Sequence, residues 1–216
     1  MKRLVAFGCS LTQGQDLEKD VEYSKLAWPY VLGQKLNLAV TNCGKNGSSI
    51  KRIWWDIMNF DFHSSDTVFI LWTHIDRWCI IKDKDSLPHD WDIHREDFKH
   101  QFSRHKDDVT NIHHSMMDKR SEMWYKYFHD EHDIIQQGFL HINHADMYLK
   151  NKVKNVFHLR ASENELTTSF NQVKFLNADI DDLRKRYPRA NDDWHPGIEC
   201  QEQYASQIKK EIQEQL

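Results

Sequence analysis

The run Thr67-Val68-Phe69-Ile70-Leu71-Trp72 constrains the fold more than any other stretch of this chain. Six residues are too few for an independent helix, and the β-branched and aromatic content favours a strand. Because the run does not alternate with polar residues, both of its faces must be covered, as in the middle of a parallel sheet. Leu4-Val5-Ala6-Phe7 reads as a strand, Lys25 to Leu36 as a helix capped by Ser24, and Leu38-Ala39-Val40-Thr41 as a second strand. These close a β-α-β unit, whose crossover is right-handed and whose strands are parallel. Ile50 to Phe60 carries Ile53, Trp54, Ile57 and Phe60 at helical spacing. Ser121 to Lys152 reads as one long helix bent at Gly138, Val153 to Leu159 as a fourth strand, and Asp179 to Tyr187 as a short helix. Glu199 to Leu216 is an amphipathic helix with Tyr204, Ile208, Ile212 and Leu216 on one face.

With 216 residues the chain is long enough for one sizeable core, so residues 1–216 are read as one domain with a His/Trp-rich insertion at about 82–120. Lys and Arg number 29 against 33 Asp and Glu, a net charge of -4, which offers no field to gather nucleic acid or an anionic membrane. No stretch approaches the roughly 18 apolar residues of a membrane span, and the run after Lys2-Arg3 is too short for a signal sequence. The expectation is a soluble protein of the cytoplasm. Cys9, Cys43, Cys79 and Cys200 are widely spaced, which suggests free thiols rather than a disulfide framework or zinc ribbon.

Each of the first three strands ends in a polar turn. Gly8-Cys9-Ser10-Leu11-Thr12-Gln13-Gly14 places a serine at the carboxyl end of the first strand, where open α/β sheets put their ligand crevices. Such a serine is either a nucleophile or the N-cap of the next helix. The second turn, Asn42-Cys43-Gly44-Lys45-Asn46-Gly47-Ser48-Ser49, has two glycines that let backbone N–H groups approach a ligand. The third is Thr73-His74-Ile75-Asp76-Arg77. Far along the chain, Asp192-Asp193-Trp194-His195-Pro196-Gly197 places a carboxylate three residues before a histidine. That carboxylate can fold back onto the ring Nδ1–H and leave Nε2 to take a proton from a hydroxyl. Alone, the pattern is equally that of a turn with a surface histidine.

A strand ending in G-x-S-L, an N-x-x-x-x-G loop after the second strand and D-x-x-H-P before a C-terminal helix together resemble the SGNH or GDSL hydrolases. The resemblance runs from Gly8 to the helix after His195. It implies a three-layer α/β/α sandwich around a mostly parallel, flavodoxin-like sheet, and chemistry without metal or cofactor. Ser10 would be the nucleophile, with Asp192 and His195 as orienting acid and base. The Ser10 and Gly47 N–H groups, with Gly44 as the alternative to Gly47, would hold the oxyanion. Two positions depart from the family pattern. Cys9 stands where the family has Asp, and Thr73-His74-Ile75-Asp76 replaces the G-x-N-D turn whose Asn is an oxyanion donor. The Thr73 hydroxyl or the His74 ring N–H is the candidate replacement. The nucleophile elbow of ordinary α/β-hydrolases fits less well, because G-x-S-x-G needs glycine where Thr12 stands.

The implied activity is hydrolysis of a short acyl ester, including an O-acetyl group on a carbohydrate, with an O-acyltransferase or a weakened binding protein of the same fold as alternatives. Two rival readings come from the residues themselves. His129/His132 and His141/His144, with Asp146 nearby, are spaced to chelate a metal from one helix face. Trp78, Trp91 and Trp124 could form a platform for a sugar or another chain, or simply fill a core.

Overall fold

The computed structural model describes residues 2–81, 109–112, 119–161 and 172–215. Trp91 lies outside them, as does most of the predicted insertion. Five strands form one parallel sheet: β1 (Arg3–Gly8), β2 (Ala39–Gly44), β3 (Thr67–Trp72), β6 (Asn155–Arg160) and β7 (Phe175–Asp179). Their order is β2-β1-β3-β6-β7. A separate antiparallel pair joins β4 (Trp78–Ile81) to β5 (Val109–Ile112). Neither short strand stands out in the sequence, because polar and apolar residues mix around both.

The helices are α1 (Ser10–Gln13), α2 (Trp28–Leu36), α3 (Ile50–Met58), α4 (Lys119–Tyr127), α5 (Glu131–Lys150), α6 (Ile180–Arg186) and α7 (Ile198–Gln215). The period of two along the strands sorts the core into two layers. Leu4 and Ala6 of β1 and Phe69 and Leu71 of β3 face Trp28 and Leu32 of α2, Leu183 of α6 and Tyr204, Ile208 and Ile212 of α7. On the other side, Val5, Phe7, Val68, Ile70 and Trp72 face Ile53 and Ile57 of α3 and Phe139, Ile142 and Leu149 of α5. The α/β/α sandwich implied by the resemblance, with the apolar run of β3 inside it, is therefore the observed architecture. That run sits at the centre, with Val68 to Trp72 fully buried.

Three local expectations change. Ser24 is not the cap of α2: the helix starts at Trp28, and Ala27 stands at its N-cap. A start at Lys25 would have put Pro29 where its ring and missing N–H break the first turn, so the proline moves the start forward. Ser24 instead donates to Glu18 Oε2 at 2.5 Å and accepts from the Leu26 N–H at 3.0 Å, closing the preceding turn. The long helix from Ser121 to Lys152 is two helices, because Asp130 accepts from the Asp133 N–H at 3.0 Å and starts α5 afresh. Gly138 does not interrupt α5; it makes room for Ile75, whose side-chain atoms would lie 3.2 Å from an added Cβ. The four cysteines are free thiols, with Cys9, Cys79 and Cys200 buried.

A polar chain runs through the α5 side of the sheet. Trp72 Nε1 donates to His158 Nδ1 at 3.0 Å, His158 Nε2 meets Asp146 Oδ1 at 3.2 Å, and Lys150 Nζ donates to Asp146 Oδ2 at 2.7 Å. An indole N–H can only donate, so the His158 proton sits on Nε2 and points at the carboxylate. Burial pushes the His158 imidazolium to a lower pKa, against the pull of Asp146 in the opposite direction. A base depressed in the folded state favours folding while it is neutral, so stability is full above the unfolded value and declines as pH falls below it. Urea-midpoint measurements are expected to show stability declining from about pH 7.5 to 5, with a shallower slope in His158→Gln. An equal slope in the two proteins would overturn this.

Candidate active site

The chain order β1, β2 on one side, then β3 on the other, makes the gap between the carboxyl ends of β1 and β3 the point where the sheet changes direction. Crevices of doubly wound sheets open at such points. Ser10 follows β1 there, and Thr73 follows β3. Ser10 is the first residue of α1 and is buried; the N-cap position belongs to Cys9, whose side chain makes no cap bond. The capping alternative for Ser10 therefore falls away.

Close packing at β1 and β2 holds this turn. Gly8 and Gly44 are register partners beneath α1. A Cβ on Gly8 would lie 2.1 Å from Thr12 Oγ1, and one on Gly44 would lie 2.5 Å from the Gln13 nitrogen. Asn42, which carries no chemistry of its own, ties the two elements together. Its Nδ2 donates to the Thr12 carbonyl at 2.8 Å and its Oδ1 accepts from the Gly44 N–H at 2.9 Å. That bond occupies the Gly44 N–H and removes Gly44 as an oxyanion donor. Gly47, at φ +68°, adopts the left-handed conformation that glycine tolerates best, and an added Cβ would meet Asn111 Nδ2 only at 3.4 Å. Gly44→Ala should accordingly cost about 2–3 kcal/mol by overpacking against backbone. Gly47→Ala should cost about 1 kcal/mol for its left-handed φ. Thermal melts of both variants check this order, and an equal or reversed pair of losses would contradict it.

The Asp192–His195 turn is built by its own hydrogen bonds. Arg189 and Pro196 form an isolated antiparallel bridge, the Ala190 N–H donates to the His195 carbonyl at 2.9 Å, and Asp193 takes φ +59°. Asp192 Oδ1 accepts from the backbone N–H groups of Trp194 and His195, both at 3.0 Å, and Oδ2 lies 2.5 Å from His195 Nδ1. Burial alone would raise the Asp192 pKa, but the His195 backbone N–H, the His195 ring and the Trp194 N–H outweigh it and hold the carboxyl at about 2. Asp192 is thus an anion that fixes the ring tautomer with the proton on Nδ1, which leaves Nε2 basic.

The two distant segments meet through Asp16. Its carbonyl accepts from the Asn191 N–H at 3.2 Å and from Asn191 Nδ2 at 2.9 Å, and its carboxylate lies 4.0 Å from His195 Nδ1. Leu17 packs with Ala27 and Ala190 beside this contact. Gln201 of α7 adds a second tie, accepting from the Trp28 N–H at 2.9 Å and donating to the Leu11 carbonyl at 3.5 Å. Ser10 and His195 share no hydrogen bond. The third turn diverges. Thr73 is buried and its Oγ1 accepts from Arg77 Nη1 at 3.0 Å, whereas His74 acts electrostatically on Asp181 in the first turn of α6. Asp16, Gln201 and Arg77 carry no sequence signal beyond polarity, because their partners are remote or set by the turn.

The rival metal spacing does not converge. His144 Nδ1 accepts from Trp54 Nε1 at 2.9 Å, His141 Nδ1 donates to the Gln137 carbonyl at 2.6 Å, and His132 Nε2 pairs with Gln136 at 2.6 Å. Asp146 is held by His158 and Lys150. Among the described residues, the His and Asp groups whose ligating atoms do come together are those of Asp16, Asp192 and His195, within 4.8 Å. The tryptophan platform is also spent internally: Trp78 and Trp124 stack on each other at 5.3 Å, and Lys51 Nζ lies 4.5 Å over Trp78. Among the described residues no helix is long and apolar enough to cross a membrane.

No family model matches this sequence, and no curated protein matches it either. Solved structures do match in shape. A member of the lipolytic protein G-D-S-L family from Veillonella parvula aligns at TM-score 0.51 and 10% identity, over 97% of each chain. The lipase Lip_vut3 from a goat rumen metagenome aligns at TM-score 0.53 and 12% identity, over 97% of each chain. LAE5, an α/β hydrolase from the metagenome of Lake Arreo, aligns at TM-score 0.51 and 14% identity, over 96% of this chain and 93% of that one. At such identities the likeness concerns the fold alone: the chain shares its α/β architecture, a central parallel sheet flanked by helices, with these proteins.

Proposed function

We propose that this chain is a serine carboxylic ester hydrolase working through Ser10, His195 and Asp192. The observation that carries the proposal is the meeting, through Asp16 and Asn191, of the Ser10 turn with an Asp192–His195 pair already in the tautomer a general base needs. His195 Nε2 takes the Ser10 proton as Oγ attacks the ester carbonyl. The backbone N–H groups of Ser10 and Gly47, with the Thr73 hydroxyl, hold the oxyanion of the tetrahedral intermediate. The His74 ring N–H is the other candidate for that third contact. The imidazolium then protonates the leaving alcohol, and water, activated by the same base, releases the acid and regenerates Ser10. No step requires a metal or organic cofactor.

The substrate in this reading is a small-molecule or carbohydrate ester with a short acyl group, as no long apolar groove is evident in the sequence. Initial rates on p-nitrophenyl esters of increasing chain length, in wild type and in Ser10→Ala, test the reading. A wild-type rate no greater than that of Ser10→Ala would count against the nucleophile, and faster hydrolysis of long chains would count against the short acyl group.

A further inference from the structure

A hydroxyl has one proton to give and lone pairs to receive. At Thr73 a lone pair is taken by Arg77 Nη1 at 3.0 Å, and a guanidinium can only donate. The Thr73 proton is thereby left for a second acceptor. A charge-assisted bond of this kind also polarises the hydroxyl and strengthens the next bond it makes. Thr73 is 1% exposed, so solvent screens this pairing little. The turn that presents Arg77 is held by the Arg77 N–H on the His74 carbonyl at 3.4 Å and by Tyr125 Oη donating to the Asp76 carbonyl at 2.6 Å.

The strand registers bring this pair to the sheet edge that carries Ser10. Pairing of β1 with β3 runs from Leu4 opposite Thr67 to Phe7 opposite Ile70, and an added Cβ on Gly8 would lie 3.1 Å from the Leu71 carbonyl oxygen, so the two strands end side by side. Pairing of β1 with β2 ends at Gly8 opposite Gly44. Ser10, Gly47 and Thr73 therefore sit in the segments that leave the carboxyl ends of three neighbouring strands.

We propose that Arg77 is a positioning residue: it orients and polarises the Thr73 hydroxyl as the third oxyanion donor, taking over a task that an asparagine amide performs when it stands at such a turn. This rests on the reading of Ser10 as an ester-hydrolysing nucleophile. Arg77 does not touch the substrate; it acts through Thr73.

The test is kcat and KM for p-nitrophenyl acetate in the full chain and in Ser10→Ala, Thr73→Val, Thr73→Ser, Arg77→Met, Arg77→Lys and the double variant Thr73→Val/Arg77→Met. Thr73→Val should lower kcat about 100-fold and Arg77→Met about tenfold, each with KM nearly unchanged. Thr73→Ser and Arg77→Lys should restore most of the rate. In the double variant, Arg77→Met should add nothing to Thr73→Val, which a merely structural arginine would not produce. Should Arg77→Met fail to fold, Arg77→Gln takes its place in the same comparison. An unchanged kcat in the arginine variant, an unchanged kcat in Thr73→Val, or an arginine effect that persists without the Thr73 hydroxyl each overturns the proposal. A wild-type rate no greater than that of Ser10→Ala overturns the hydrolase reading itself, and the proposal with it.

Discussion

Replacing Ser10 by alanine is expected to abolish labelling by a fluorophosphonate probe and to lower ester turnover by about 10^4- to 10^6-fold, the range seen when a triad loses its nucleophile. Removing one oxygen from a buried position at the first turn of α1 leaves the packing of Leu11 and Thr12 in place. The variant should therefore melt within about 1 kcal/mol of wild type. The combination of intact fold and lost labelling separates chemistry from structure. Labelling of Ser10→Ala equal to wild type would move the nucleophile elsewhere, and no labelling of either protein would favour the weakened binding protein over the enzyme.

Asp192→Asn is expected to cost about 10^4-fold in kcat, the scale of loss when an orienting carboxylate becomes an amide and the imidazole is held in the wrong tautomer. The substitution is mild for the turn: the amide oxygen can still accept the Trp194 and His195 N–H bonds that Oδ1 accepts at 3.0 Å. What it loses is the anion at 2.5 Å from His195 Nδ1, ionised across the working range because its pKa lies at about 2. Asp16 supplies the internal comparison. At 4.0 Å from the same nitrogen it does not hydrogen bond the ring, so Asp16→Asn should cost less than about tenfold. Its left-handed φ of +59° is one that asparagine tolerates, so the exchange changes charge rather than backbone. A larger loss from Asp16→Asn than from Asp192→Asn would exchange the roles assigned to the two carboxylates.

Where sequence reading of this chain succeeded, the deciding interactions were local. The β3 run, the β1 run and the helical stripes of α3 and α7 announce themselves because burial on a periodic element imposes its period on the residues. The Asp192–His195 hydrogen bond is local too, since the two residues lie three apart in one turn. Where it fell short, local preference met a competing constraint. Ser24 is a good cap in isolation, yet Pro29 sets the start of α2. Gly138 is a helix breaker in isolation, yet the approach of Ile75 gives it a place inside α5. The histidine pairs have chelating spacing, but Trp54, Gln136 and Gln137 engage their rings.

The sequence by itself determined the layers, the strand turns on one sheet edge and the Asp192–His195 pair, because each follows from residues within a few positions of one another. Only the tertiary structure decided that the Asp192–His195 turn docks on Asp16, that Asn42 rather than a solvent molecule holds the Gly44 N–H, and that Thr73 pairs with Arg77. The physical reason is range. Propensity and periodicity act along the chain, whereas a hydrogen bond between Asn191 and Asp16, 175 residues apart, exists only after the sheet has brought both ends to the same edge.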